Sequence, residues 1–266
     1  MPDSRVRLIV LIFALTIGLQ IVACGTMPRA ADGSKIEPTP GDPWEPLNRP
    51  IHLFNGGLDK VTLKPIAKGY QIIIPKVLQI GVTNFSKNLR APLNIINHFL
   101  QGKPREGFRQ TGRLVMNSTF GIGGLMDVAT DAGLELKDED FGQTLAVWGV
   151  PAGPYVVVPF LGPRTLRDAV MIPLNILADP LLHYNDSSVR DKVYLVRAID
   201  LRARLFASEA LVEDAYDPYV RIREGYLQNR QGKIDDKDND GDVDAGDVSE
   251  DDDDYYDDFE DPDEGY

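Results

Sequence analysis

The chain has 266 residues, a net charge of −13 and a single cysteine, which excludes an intrachain disulfide. Its length allows one domain of about 200 residues with a core of its own. The charge is uneven, because residues 235–266 hold 18 acidic residues and one lysine, so that the first 234 residues carry +4. The acidic balance therefore describes the tail and not the body of the protein.

Residues 1–23 have the features of a secretory signal peptide. Arg5 and Arg7 precede a largely apolar run at 8–22, which ends in a small residue before Cys24. The run is short for a membrane span, which needs about 20 apolar residues. Cleavage is therefore favoured over an uncleaved anchor with an ordinary free cysteine.

The segment Ile21-Val22-Ala23-Cys24 resembles the lipobox of bacterial lipoproteins, in which the cysteine sulfur takes a diacylglycerol. Cys24 is thus the predicted lipidation site. Acyl chains contribute about 0.8 kcal/mol per buried methylene, so several of them anchor a protein firmly. Gly25 follows where inner-membrane lipoproteins typically carry aspartate, and the resemblance therefore implies the outer membrane, with the protein facing the periplasm.

A tether at 24–41 precedes the predicted single domain at 42–230. The tether is small, polar and proline-bearing, as flexible linkers are. Asp42 is the predicted N-cap of the first helix, with Pro43 at the first helical position and Glu45 completing a capping box. Apolar residues then recur at three- and four-residue steps, as on one face of an amphipathic helix: Leu47, Ile51, Phe54, Leu58 and Val61.

Prolines open most of the later predicted helices, since the missing N–H of proline would be unpaired in the first turn anyway. These helices are predicted at 75–89, 92–101, 104 to about 117, 163–178, 187 to about 207, and 218–228. Residues 155–160 (YVVVPF) form the one predicted strand, and Pro159 limits it to an edge or a short hairpin. The sequence predicts a mainly α domain with one small β element.

Two apolar segments do not suit a simple water-exposed helix. Residues 120–125 (FGIGGL) hold three glycines, and residues 141–161 are apolar for most of their length, with glycine and proline between. In water such segments must be buried, whereas beside lipid they can lie in a membrane. Two interpretations of these segments are therefore open. They form glycine turns packed inside a helical core, or they contact a membrane.

Many short motifs along residues 42–228 resemble the MlaA (VacJ) family of bacterial lipoproteins. The first are DPWEPLNR at 42–49, Phe54-Asn55, Asn84-Phe85, Asn88-Leu89, Asn97 and LQG at 100–102. The central ones are Arg113, NST at 117–119, GIGGLMDVA at 121–129, DFGQTL at 140–145, WGV at 148–150, GPY at 153–155, LGP at 161–163 and Arg167-Asp168. The last are Asp217-Pro218-Tyr219 and Arg223-Glu224.

The resemblance implies a ring of amphipathic helices embedded in the inner leaflet of the outer membrane, with a central polar channel. Phospholipids that stray into the outer leaflet would pass through this channel to a periplasmic carrier protein, which would maintain lipid asymmetry. A porin trimer is the implied membrane partner, and no nucleic acid is expected. A polar conduit lowers the barrier because a headgroup in hydrocarbon loses its hydration. The alternative is a non-transporting structural adaptor that tethers porins.

Motif positions also suggest candidate channel or gate residues. Phe54 and Asn55 are predicted to belong to the membrane-facing ring or the gate. Gly121, Gly123 and Gly124 are predicted to form a tight apolar turn that can move, since glycine adopts conformations that other residues avoid. For all five positions, plain packing or turn geometry is the alternative.

The segment 231–266 is an acidic tail, predicted to be disordered. It contains a D-x-D-x-D-G pattern that places acidic residues at the ligand positions of an EF-hand-like calcium loop: Asp236, Asp238, Asp240, Asp242 and Asp247. No amphipathic helix follows the loop, so any calcium binding is expected to be weak. A solvated acidic segment without calcium is the alternative. Apart from this calcium, no cofactor is expected.

The sequence does not favour an enzyme. It lacks the G-x-S-x-G, H-E-x-x-H and Walker patterns. Its three histidines, His52, His98 and His183, lie far apart in sequence. We therefore expect a protein without catalytic residues.

Overall fold

A computed structural model describes residues 39–213 and 215–235. Within these residues the protein is mainly helical, as predicted, and no helix has the length and hydropathy needed to cross a bilayer. The helices are α1 Glu45–Val61, α2 Leu63–Ile73, α3 Lys76–Leu100, α4 Pro104–Thr119, α5 Val128–Asp131, α6 Phe141–Val147, α7 Leu166–Leu177, α8 Ser187–Arg204, α9 Phe206–Glu213 and α10 Pro218–Ile234, with a 3₁₀ turn at Pro180–His183. The strands are β1 Tyr155–Val158 and β2 Gly162–Thr165.

The elements contact one another in a closed order, which gives the predicted ring. Helix α1 packs on α2, α2 on α8, α8 on α3, α3 on α6, α6 on α7, α7 on β1, and β1 on α1 again. Helix α4 lies along α3, and α10 contacts both α6 and β2. Helices far apart in sequence are therefore neighbours in the fold.

The two strands form an antiparallel hairpin in which Tyr155 pairs with Thr165 and Val158 with Gly162. The short β element predicted at 155–160 is confirmed. The helix predicted from residue 163 starts only at Leu166, because Pro163 belongs to β2. The Thr165 side chain caps α7 by accepting a hydrogen bond from the backbone N–H of Asp168.

One long helix, α3, replaces the two helices predicted at 75–89 and 92–101, so this prediction is wrong. Pro92 lies inside α3 instead of opening a helix. An internal proline costs about 3 kcal/mol, because it removes one backbone hydrogen bond and crowds the preceding turn. The packing of α4 and α8 along α3 outweighs that cost.

The predicted capping box at Asp42 is also wrong, since α1 begins only at Glu45 and has no side-chain cap. Asp42 accepts hydrogen bonds from the Trp44 backbone N–H at 3.3 Å and the Asn48 amide at 3.2 Å. Glu45 accepts hydrogen bonds from the backbone N–H and the hydroxyl of Thr39. Both carboxylates therefore accept hydrogen bonds from other residues nearby in the chain, and the capping box does not form.

One further helix and two further boundaries differ from the prediction. The sequence pattern does not predict α2. The helix predicted over 187–207 ends at Arg204, and α9 follows after Leu205. Helix α10 continues past residue 228 to Ile234.

Burial in the described residues is inverted relative to a water-soluble domain. Seven of the eight largest fully buried side chains are polar: Glu45, Asn48, Asn97, His98, Gln110, Gln143 and Thr144. Large apolar side chains lie outside, with Ile72 84% and Val77 78% exposed. Monomeric soluble proteins rarely expose large apolar patches. These faces therefore indicate contact with lipid or with another protein.

The apolar glycine segment lies at the surface. Phe120 is 74% exposed and Ile122 68% exposed, so the interpretation of 120–125 as turns packed inside a core is wrong. The second apolar segment is divided between inside and outside. Gln143 and Val157 are fully buried, whereas Trp148 is exposed.

Helix α10 is fastened to the ring by a buried ionic cluster. One guanidinium nitrogen of Arg230 lies 2.8 Å from carboxylate oxygens of both Asp140 and Asp168. Burial alone would raise the pKa of Asp140, but the hydrogen bonds and charge of Arg230 lower this pKa to about 2. Asp140 lies at the start of α6 and Asp168 lies in α7. Arg230 therefore connects α10 to both α6 and α7.

Candidate functional site

A polar cavity of about 500 Å³ lies where α2, α3, α5 and α8 meet. Helix α3 supplies one polar stripe at three- and four-residue spacing, while α5 and α8 supply acidic residues. The lining residues are Gln71, Lys76, Gln79, Ile80, Thr83, Asn84, Lys87, Asp127, Thr130, Asp131, Leu136, Asp200, Ala203 and Arg204. The cavity can therefore hold a charged or strongly hydrated group.

An apolar pocket of about 250 Å³ adjoins this cavity and shares Ile80, Asn84, Asp127 and Asp131 with it. Its other lining residues are apolar: Val77, Leu125, Met126 and Val128. A small cavity of about 20 Å³ also adjoins it and shares Asn84, Lys87, Asp127 and Leu136. Polar and apolar spaces are thus continuous at one site, as an amphipathic ligand requires.

Asp200 is a buried carboxylate at the α8 side of the cavity. It accepts hydrogen bonds from the Thr83 hydroxyl at 2.8 Å and the Tyr70 hydroxyl at 3.3 Å, and Arg204 lies 3.4 Å away. Burial and the charge of Asp200 together raise the pKa of Tyr70 to about 12. The negative charge of Asp200 is therefore compensated within the protein.

Asp127 is the carboxylate on the other side and is held by a network around α4. Arg113 donates to both its oxygens at 2.8 and 2.9 Å, and Asn117 and Thr130 donate at 2.9 and 2.8 Å. Burial raises the pKa of Asp127, but these hydrogen bonds and the Arg113 charge outweigh burial and lower it. Asp127 thus stays ionised beside the cavity.

The glycine turn ends at Asp127 and so reaches the cavity. Gly123 and Gly124 have φ of 69° and 92°, and Ile122 has φ of 53° in the same left-handed region. At Gly124 a Cβ atom would lie 2.5–2.7 Å from the Asn88 side chain. The close approach of the turn to α3 therefore requires glycine here.

The family model described as MlaA lipoprotein matches residues 40–233. The chain belongs to the MlaA lipoprotein family.

Individual relatives agree with this assignment. The chain is 36% identical over 194 residues to the intermembrane phospholipid transport system lipoprotein MlaA of Escherichia coli K12, covering 70% of this chain and 76% of that one. It is 34% identical over 195 residues to an uncharacterized protein of Rickettsia typhi, covering 73% and 78%. A solved structure described as the structural basis for maintenance of bacterial outer membrane lipid asymmetry matches with a TM-score of 0.64 and 35% identity, covering 73% of this chain and 98% of that one.

In this MlaA chain, Phe54 and Asn55 lie away from the cavity and apart from the glycines. They lie in the middle of α1, and Phe54 is half exposed against Phe160, with ring centroids 5.7 Å apart. Asn55 donates to the carbonyl of Val158 at 3.0 Å and accepts from the N–H of Phe160 at 2.9 Å. The two residues therefore bind α1 to the hairpin, and their part in a gate stays a prediction.

Of the three predicted glycines, only Gly124 approaches α3 closely. Gly121 would meet backbone atoms of Met126 and Asn117, whereas Gly123 faces open space. The turn is tight as expected, and its movement stays a prediction.

The charged residues of the cavity are not among the sites predicted from the sequence. The sequence does show a polar helix face, because Lys76, Thr83 and Lys87 are spaced so that they share one face of α3. Nothing in sequence relates that face to Asp127 or Asp200.

Two predicted sites lie outside the described residues: the lipidation site Cys24 and the calcium loop from Asp236 to Asp247. Within residues 39–213 and 215–235, no cluster of His, Cys, Asp or Glu is arranged to hold a metal ion.

Proposed function

We propose that this chain performs intermembrane phospholipid transport, removing misplaced phospholipid from the outer leaflet of the outer membrane and so maintaining lipid asymmetry. The observation that carries the proposal is the polar cavity of about 500 Å³ in a domain whose apolar helix faces are exposed. The transport role in the name of the Escherichia coli relative supports it.

The physical reason is the cost of moving a charged headgroup through hydrocarbon, which is several kcal/mol without hydration or a polar partner. The exposed apolar faces would seat the ring in one leaflet, while the cavity would keep the headgroup in polar surroundings. No side chain needs to form or break a covalent bond, so the proposed role is non-catalytic.

The proposed location is the outer membrane, anchored through acyl chains on Cys24 and facing the periplasm. A periplasmic carrier protein would receive the lipid, and a porin trimer would be the neighbour within the membrane. Replacing Cys24 with serine should leave an uncleaved form at the inner membrane. Membrane fractionation and immunoblotting would detect it, and normal processing of Cys24→Ser would reject the anchor.

Transport is favoured over a pure porin adaptor because an adaptor requires no polar cavity. In a deletion strain we expect phospholipid to accumulate on the cell surface and detergent sensitivity to increase, both reversed by the wild-type gene. Labelling of surface phospholipid in intact cells measures the first effect. Unchanged surface phospholipid in the deletion strain would reject transport and favour the adaptor.

A further inference from the structure

Lys87 is a cation of the cavity that no carboxylate of the described residues neutralises. It is half-buried on α3 and lines both the large cavity and the small one. Among the residues that the structure describes, no carboxylate lies within 4 Å of its ammonium group. A lysine held beside a cavity without a partner offers its three N–H groups to a ligand.

The acids around Lys87 are already occupied. Asp127 is bound by Arg113, Asn117 and Thr130, and Asp200 by Tyr70, Thr83 and Arg204. These internal contacts compensate both carboxylates, so neither needs Lys87.

The third acid, Asp131, also lines the large cavity, and no ion pair joins it to Lys87. It is exposed and lines the apolar pocket, which Lys87 does not reach. Lys87 therefore keeps a positive charge that no described carboxylate pairs with, and the apolar pocket adjoins the same cavity.

We propose that Lys87 is the phosphate-binding residue of this cavity and that the ligand is the phosphate of a phospholipid headgroup. The inference rests on the proposed transport function and deepens it. A lysine ammonium binds phosphate as a point charge with hydrogen bonds, and the partly buried setting strengthens this contact. The adjoining apolar pocket, lined by Ile80, Leu125 and Met126, would receive the first methylenes of an acyl chain.

The test uses the full-length lipoprotein in detergent and isothermal titration with three probes. They are dihexanoyl phosphatidylglycerol, dihexanoylglycerol without phosphate, and inorganic phosphate. Lys87→Gln removes the charge at similar length, and Lys87→Arg restores it. Lys68→Gln is the matched control, since Lys68 is an exposed lysine of α2 outside the cavity.

We expect Lys87→Gln to weaken binding of the phosphatidylglycerol about ten-fold, equivalent to about 1.4 kcal/mol. Dihexanoylglycerol should bind all variants equally, Lys87→Arg should stay within about three-fold of wild type, and Lys68→Gln should bind as wild type does. Raising the salt concentration should weaken wild type more than Lys87→Gln, because only the charged contact is screened.

Equal affinity of wild type and Lys87→Gln for the phosphatidylglycerol would overturn the proposal, and so would an equal loss for dihexanoylglycerol. If inorganic phosphate bound as tightly as the lipid, the lipid assignment would be wrong. These results concern Lys87 alone. The proposed transport function fails separately, when the deletion strain shows no surface phospholipid.

Discussion

Replacing Arg230 with methionine tests the ionic cluster that fastens α10 to the ring. The guanidinium is buried between Asp140 and Asp168, and Asp168 is itself buried. Without it, two carboxylates share this site. Among the described residues, Arg167 is then the one cation within 4 Å of Asp168, at 3.3 Å, and the Tyr226 hydroxyl still donates to Asp168 at 2.7 Å. Methionine keeps much of the volume and removes the charge together with its hydrogen bonds to the two acids, so the change tests the polar contacts of Arg230 with little change in packing.

The magnitude follows from Asp140, whose pKa is held at about 2 against an ordinary value of 3.8. That difference corresponds to about 2.5 kcal/mol at neutral pH. Removing one partner of a buried ion pair costs about 3–5 kcal/mol. We expect Arg230→Met to lower the free energy of unfolding by about 3 kcal/mol and the melting temperature by roughly 6–12 °C.

The same pKa gives a pH signature. The folded-state pKa of Asp140 lies below its unfolded value, so its stabilisation is fully present above about pH 4 and is lost as the pH falls towards 2. The melting temperature of the wild type should therefore fall as the pH decreases from about 4 towards 2. Arg230→Met should lose less, because the pKa of Asp140 then lies closer to its unfolded value.

Thermal unfolding of the full chain in detergent, followed by circular dichroism, measures both effects. The matched control is Arg221→Met, an exposed arginine of the same helix, which should melt as wild type does. If Arg230→Met melted within about 2 °C of wild type, the cluster would not be what holds α10 in place.

Three further predictions concern the cavity, the outer faces and the glycine turn. Ile80→Trp should obstruct the cavity and raise surface phospholipid in cells, whereas Leu78→Trp, outside the cavity on the same helix, should not. Ile72→Glu should weaken flotation with lipid vesicles without changing the melting temperature in detergent, since a charge in hydrocarbon costs about 2.5–3.5 kcal/mol. Gly124→Ala should destabilise by about 1–3 kcal/mol in chemical denaturation, and more than Gly123→Ala, because Gly124, unlike Gly123, faces a close neighbour.

Local signals in the sequence predict part of the fold well. Pro104 opens α4 as expected, because proline suits a first turn, and the β-branched run at Tyr155–Val158 forms a strand. The same rule fails at Pro92 and Pro163, where neighbouring elements decide the conformation. Proline permits a helix start, but it does not require one.

The cavity is harder to predict from the sequence than the helices and strands are. The spacing of Thr83 and Lys87 shows a polar helix face but not what that face meets. Asp200 joins it across more than a hundred residues, through the packing of α8 on α3. The inverted burial is likewise invisible, since an amphipathic pattern identifies two faces without stating which one faces inward.

The outward apolar faces have a consequence for biogenesis. A chain delivered to the outer membrane as we propose must first cross an aqueous compartment. There, side chains such as Ile72 and Val77 would favour self-association. Transit therefore requires a carrier protein that covers these apolar faces until the bilayer covers them instead. A lipoprotein that leaves this carrier before it reaches the membrane should aggregate.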